Sequence, residues 1–194
     1  TVGEDEVRDA YSGGQRDFGE NRAQQLLEKA ELLSDLKDLR WHFIGRLQRN
    51  KVRKVLPLVR KIHSVDSLKL AKSISRIAGE EGLKDVSILL EVNVSGEGSK
   101  TGFSPEEMKA TLPKLQSLAN VSLDGLMTMA PFVDDRELLR NCFKRLKELS
   151  RELQCSYGLG AELSMGMSHD YPIAVEEGAT IVRIGSKIFH GGQY

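Results

Sequence analysis

Two hydrophobic periods take turns along this chain, and that alternation constrains its fold more than any other feature. Short β-like runs occur at 16–21, 41–45, 61–66, 86–93, 123–129, 162–168 and 181–186. Between them lie stretches whose apolar residues recur about every three or four positions, the spacing of a helix with one buried face. A first helix over 4–12 places Val7, Ala10 and Tyr11 on one side and stops at Gly13-Gly14. The stretch 22–38 buries Leu26, Leu27, Ala30 and Leu33. The stretch 47–60 turns Val52, Val55, Leu56 and Val59 inward, with Pro57 disturbing its end. A helix over 67–79 follows. Ser104-Pro105-Glu106-Glu107 is a capping box with proline at the first helical position, so another begins there. Residues 135–154 form a long helix with Leu138, Leu139, Cys142, Phe143, Leu146, Leu149 and Leu153 inward, and a short one surrounds Pro172–Glu177.

Strictly alternating βα units imply a parallel sheet. Seven strands preceded by a helix predict an α/β fold, an eight-stranded (β/α)8 barrel of the TIM type whose first strand is missing ahead of Thr1. The chain is then a single barrel domain over 1–194 that is incomplete at its N-terminus. A doubly wound open sheet is the alternative, but no GxGxxG fingerprint follows an early strand.

Charge and length narrow the function classes. Lys plus Arg and Asp plus Glu both number 28, so the net charge is zero and nothing global attracts nucleic acid or an anionic membrane. No apolar run approaches the ~18 residues of a membrane span. Cys142 and Cys155 are the only cysteines and neither sits beside another potential ligand, so there is no zinc pattern. Two isolated thiols without a signal sequence point to a reducing cytoplasm.

In barrels of this kind the functional face lies at the C-terminal ends of the strands. Those ends carry Asn21, Gly45, Asp66, Asn93, Thr128, Ser164 to Ser168, and Arg183 to Ser186. Nearly all are polar or glycine on otherwise apolar strands. The last two are the most specific, because barrels often bind phosphate between the loops after strands seven and eight. Gly185 permits close backbone approach, and Ser164, Ser168 and Ser186 offer hydroxyl donors. Arg183 offers a forked cation to a phosphate or to a ring nitrogen. The competing reading pairs Arg183 with a buried carboxylate and leaves the glycines as turns.

These segments also carry a resemblance. Phe18-Gly-Glu-Asn21, Trp41-His-Phe-Ile-Gly45, Leu47-Gln48 with Asn50-Lys51, Gly125-Leu-Met-Thr-Met129, Leu163-Ser-Met-Gly-Met-Ser168 and Val182-Arg-Ile-Gly-Ser186 resemble the pyridoxal phosphate homeostasis protein family. The motifs fall in order across 15–189. The resemblance implies a barrel like the N-terminal domain of alanine racemase, with pyridoxal 5′-phosphate as cofactor. It implies a carrier or regulator of that cofactor with no established catalysis. A pyridoxal phosphate-dependent, racemase-like enzyme and a phosphate-binding barrel that uses no pyridoxal are the alternatives. Carried over by position, Ser164, Gly185 and Ser186 hold the phosphate with Ser168 nearby. Arg183 sits at the phosphate or the pyridine nitrogen, and Asn21 and His42 line the pocket. The Schiff-base lysine of the pattern falls just before Thr1 and has no match in the chain, so no catalytic residue is assigned. The tail His190-Gly-Gly-Gln-Tyr194 also departs from the pattern. The partners implied are pyridoxal phosphate and the apo-enzymes that use it, with no membrane or nucleic acid, and a monomer is expected.

Other features read as structural. Arg46, Arg49, Lys51, Arg53, Lys54, Arg60 and Lys61 read as a solvated helix face rather than an RNA or second anion site. Ser95 to Gly102 lacks the order of a P-loop and reads as a loop over the barrel mouth. His63 reads as structural, and His169-Asp170 lacks a triad partner. Met127, Met129, Met165 and Met167 read as packing groups rather than metal ligands.

Overall fold

In a computed structural model of the chain, residues 2–96 and 101–189 are described. The centre of the glycine-rich loop, 97–100, and the tail His190–Tyr194 lie outside the described residues. The elements alternate as the periodicity predicts. Helix α1 (Glu4–Ser12) leads to β1 (Asp17–Glu20), α2 (Ala23–Leu32) and β2 (Arg40–Phe43). Next come a broken helical stretch with α3 (Val52–Val55) at its centre, β3 (Val59–Val65), α4 (Leu68–Glu80) and β4 (Val86–Glu91). They are followed by α5 (Pro105–Gln116), β5 (Val121–Met127) and α6 (Arg136–Tyr157). The last elements are β6 (Glu162–Met167), α7 (Tyr171–Glu176), β7 (Ile181–Arg183) and a single turn α8 (Ser186–Phe189).

All neighbouring strands pair in parallel, and their spatial order is their sequence order, β1 to β7. A doubly wound sheet reverses its order at a switch point, so this order excludes it. The sheet is curled. β3 and β6 are three positions apart, roughly 14 Å in a flat sheet. Yet His63 on β3 lies 2.8 Å from Ser164 on β6, and Lys61 on β3 binds Glu162 at the start of β6. Such contacts form only across the inside of a barrel. The fold is a TIM-type barrel, nearly closed, with β1 and β7 as its two unpaired edges.

Several local expectations give way to tertiary packing. The helix over 47–60 is not continuous: 3₁₀ turns at Arg49–Lys51 and Leu56–Leu58 flank the one α-turn of α3. Pro57 lacks the N–H that would continue the ladder, and β3 starts early, at Val59. Leu138 is exposed, because α6 presents Leu139, Cys142 and Phe143 to the sheet instead. Lys61 is not on a solvated face; it is buried inside the barrel. Of the same basic stretch, Arg53 pairs with Glu80 and Glu81 of the α4 region. The turn α8 after β7 was not foreseen.

The capping box at Ser104 forms as read: its Oγ accepts from the Glu107 amide at 3.1 Å and the Glu107 carboxylate accepts from the Ser104 amide at 3.0 Å. The apolar core lies between sheet and helices. It runs from Leu26 and Phe43 through Ile62, Ile74, Ile88 and Leu112 to Phe143 and Leu146. Met127 and Met165 are fully buried, whereas Met129 is exposed. Among the described residues no cluster of metal-ligating side chains is present. No helix among them is long and apolar enough to cross a membrane.

Candidate functional site

The other face of the sheet turns into the barrel, and it is polar. Alternate strand residues point to the same side. On β3 these are Lys61 and His63, on β4 Ser87 and Glu91 with the apolar Leu89 between them, on β6 Glu162 and Ser164. TIM barrels usually fill this space with branched apolar layers; here it holds charges. In the lower layer Lys61, 7 % exposed, bridges Asp124 at 3.1 Å and Glu162. Burial pulls the Asp124 carboxyl upward, but the hydroxyls of Ser122 and Ser87 and the Lys61 ammonium together hold it below the ordinary value.

Above this layer a chain of hydrogen bonds crosses the barrel. Asp17 Oδ1 lies 3.0 Å from His42 Nε2. His42 Nδ1 lies 2.8 Å from His63 Nε2, and His63 Nδ1 lies 2.8 Å from Ser164 Oγ. Arg183 Nη1 donates to Ser164 Oγ at 2.6 Å, and Nη2 donates to the Thr128 carbonyl at 2.9 Å. Arg183 thus stands at the C-terminal end of β7, held by two neutral oxygens. Among the described residues no carboxylate forms an ion pair with it. Burial pushes its pKa down to about 10, opposed by the more distant Asp170 and Glu91 carboxylates. Among the described residues the carboxylate-paired alternative for this arginine is therefore not formed.

Beside it the barrel stands open between the edge strands β1 and β7, a gap of about 1180 Å³ that reaches from the strand ends to α1 and α8. The fold brings four of the sequence-derived candidates to its wall: Asn21, His42, Arg183 and Gly185. Ser168 joins them through its hydroxyl, which accepts from the Gly185 amide at 3.3 Å. Ser186 follows as the first residue of α8. A side chain at Gly185 would meet nothing within 4 Å, so the backbone there faces open space. Gly45 packs against the Asn21 backbone, where an added Cβ would lie 2.0 Å from the Asn21 carbonyl oxygen; this contact seats Asn21 at the rim.

Ser164 is placed differently. It is fully buried behind Arg183, and His63 and Arg183 occupy its hydroxyl. Both ring nitrogens of His42 are likewise occupied, by Asp17 and His63. Lys61, His63, Asp124 and Glu162 did not emerge from the sequence as groups facing the barrel interior, nor did Asp17 as the exposed carboxylate that ends the hydrogen-bond chain. The available signal was polar residues at every second position of strands that should be apolar on both faces.

The two histidines make the barrel acid-sensitive. Burial, with the neighbouring His42, Arg183 and Lys61, lowers the His63 pKa from 6.5 to about 2. Burial also lowers that of His42, although Asp17 opposes the shift. As pH falls through 6.5 the unfolded chain takes up protons that the folded barrel refuses, so stability is lost in that direction. His63 alone contributes a slope of about 1.4 kcal/mol per pH unit below its ordinary pKa. Denaturant titrations across this range are expected to show that slope. The His63→Leu variant should lose the His63 part of it and keep only what His42 contributes.

The chain matches the family model for the N-terminal domain of alanine racemase over residues 3–192. It is 46 % identical to the pyridoxal phosphate homeostasis protein of Aquifex aeolicus, covering 100 % of this chain and 85 % of that protein. The structure of PipY from Synechococcus elongatus PCC7942 with PLP bound superposes with a TM-score of 0.89 at 41 % identity. The match covers 96 % of this chain and 87 % of that one. Alanine racemase of Clostridium difficile 630 shares the fold, with a TM-score of 0.77 at 18 % identity over 97 % of this chain and 48 % of that one.

Proposed function

Because the chain belongs to the alanine racemase N-terminal domain family, and within it to the pyridoxal phosphate homeostasis proteins, we propose that it binds pyridoxal 5′-phosphate and governs the cofactor's free level or delivery. The observation that carries this reading is Arg183: a half-buried arginine at a strand end, with no carboxylate ion pair among the described residues, beside an opening in the barrel and an open glycine backbone. A desolvated cation of this kind needs an anion or a strong neutral acceptor. The cofactor supplies both, a phosphate and a pyridine nitrogen. The residues present fit it. The Gly185 backbone, Ser168 and Ser186 form the phosphate side. Arg183 faces the ring nitrogen or the phosphate, and Asn21 borders the opening. Ser164 acts through Arg183, and His42 lines the wall without a free ring nitrogen.

When bound, the cofactor supplies an aldehyde that a lysine holds reversibly. An additional parallel strand between β7 and β1 would bring that lysine to the cavity. The reading is of a carrier rather than a catalyst: an arginine placed at the pyridine nitrogen would leave the ring a weak electron sink. Its partners are the apo-enzymes that receive the cofactor, and its compartment is the cytoplasm.

The test is an absorption spectrum of the protein as its gene encodes it, after reconstitution with pyridoxal phosphate and gel filtration. The visible band of lysine-bound cofactor, fixed by borohydride, is expected. A protein that emerges without cofactor overturns the proposal. Turnover of an amino acid well above the rate of free cofactor overturns the carrier role and leaves the binding site intact.

A further inference from the structure

We infer that Asp17, His42, His63 and Ser164 form a one-way hydrogen-bond relay that positions the Arg183 guanidinium, with both imidazoles neutral and carrying their proton on Nε2. The direction follows from counting donors. Asp17 is anchored by two bonds from Arg40, from Nε to Oδ1 at 2.9 Å and from Nη2 to Oδ2 at 2.7 Å. As a carboxylate it only accepts, so His42 Nε2 donates to it. A neutral His42 then has a bare Nδ1, which must accept from His63 Nε2 at 2.8 Å. That leaves His63 Nδ1 bare, and it accepts the hydroxyl proton of Ser164 at 2.8 Å. The Ser164 lone pair is then turned toward Arg183 Nη1 at 2.6 Å.

The reverse arrangements fail on the same count. If either imidazole were a cation, His63 Nδ1 would donate to Ser164, where Arg183 already donates. The hydroxyl proton of Ser164 would then have no acceptor among the described residues, in a side chain with no solvent exposure. A buried donor left unpaired is costly. A cationic His63 would also sit one hydroxyl away from the Arg183 guanidinium. The neutral, Nε2–H pair satisfies every proton in the chain.

The relay has a consequence for binding. Because Ser164 is committed to His63 as donor and to Arg183 as acceptor, the guanidinium is held by Ser164 and Thr128. Three of its five N–H groups remain for a ligand. Asp17, His42 and His63 line the cavity with their ring nitrogens and carboxylate already engaged, and they act on the ligand as positioning residues, through Arg183. Their tautomers do not depend on the ligand; their effect on binding rests on the pyridoxal phosphate reading.

Long-range proton–nitrogen correlation on ¹⁵N-histidine-labelled, cofactor-free protein tests the relay directly. At neutral pH both His42 and His63 are expected as Nε2–H tautomers. Asp17→Ala should scramble His63 as well as His42. Asp17→Asn, whose amide oxygen still accepts from His42, should restore the pattern. In reconstituted protein, Asp17→Ala and His63→Leu are expected to hold pyridoxal phosphate about ten-fold more weakly, the scale of one hydrogen bond to a charged group. They should also shift the absorption of bound cofactor, with Asp17→Asn recovering both. A wild-type His63 protonated on Nδ1 overturns the relay. So does an Asp17→Ala variant with unchanged His63 signals or unchanged cofactor retention. Nε2–H tautomers scrambled by Asp17→Ala, in a protein that retains no pyridoxal phosphate, support the relay and reject the ligand.

Discussion

Arg183→Ala is expected to lower the affinity for pyridoxal phosphate by about a hundred-fold while leaving the barrel folded. Arg183 is half-buried, and its two protein bonds go to Ser164 and Thr128 rather than to a carboxylate. Bonds to a charged group contribute about 1.5–3 kcal/mol each, and a loss of about 2.7 kcal/mol is a hundred-fold in affinity. The stability change is smaller, because removing the side chain also removes a cation that the fold had to desolvate. Arg183→Lys should recover part of the affinity, since an ammonium keeps the charge but cannot reproduce the planar fork. Equilibrium titration followed by cofactor absorbance, with a thermal melt of each variant, provides the measurement. Unchanged affinity in Arg183→Ala would remove this residue from the site.

The second large effect concerns stability rather than binding. Lys61→Ala is expected to destabilise the barrel by about 3 kcal/mol, the lower end for breaking a buried ion pair. Lys61 is buried between Asp124 and Glu162. Its removal leaves two carboxylates facing each other across the interior. Asp124 retains the hydroxyls of Ser87 and Ser122, whose Oγ lies 2.5 Å from Asp124 Oδ1. Glu162 keeps no comparable partner among the described residues, and its partial exposure sets the estimate at the lower end. The deficit should shrink below about pH 5, where one carboxylate can take up a proton in the variant. Adding Glu162→Gln to Lys61→Ala should restore part of the loss at neutral pH. Guanidinium unfolding at two pH values distinguishes this from simple loss of packing, which would not depend on pH.

Both predictions concern residues that the chain order hides. Arg183 was legible as a candidate because it sits in a short local pattern, Val182-Arg-Ile-Gly-Ser186, at the end of a strand. Its state was not, since pairing with a carboxylate and facing a ligand leave the same local sequence. Lys61 was misplaced because it closes a basic stretch whose other members are mostly exposed, and charge density alone suggests solvent. Ser164 was found by its motif, but its role depends on His63 and Arg183. Leu138 fell on the apolar stripe of α6, yet the helix rotates enough to bury Leu139 instead.

What the sequence determined by itself is what neighbours along the chain decide. The alternation of periods specified parallel βα units, and the Ser104 box fixed the start of α5. These signals act over one turn or one strand, through backbone sterics and local hydrogen bonds. The tertiary structure decided which side chains meet inside the barrel. His63 and Ser164 are 101 residues apart, as are Lys61 and Glu162. Only curling the sheet removes the water between them. Once it is gone, each buried donor and acceptor must find its partner across the barrel, and that requirement sets the charge, tautomer and orientation of the site.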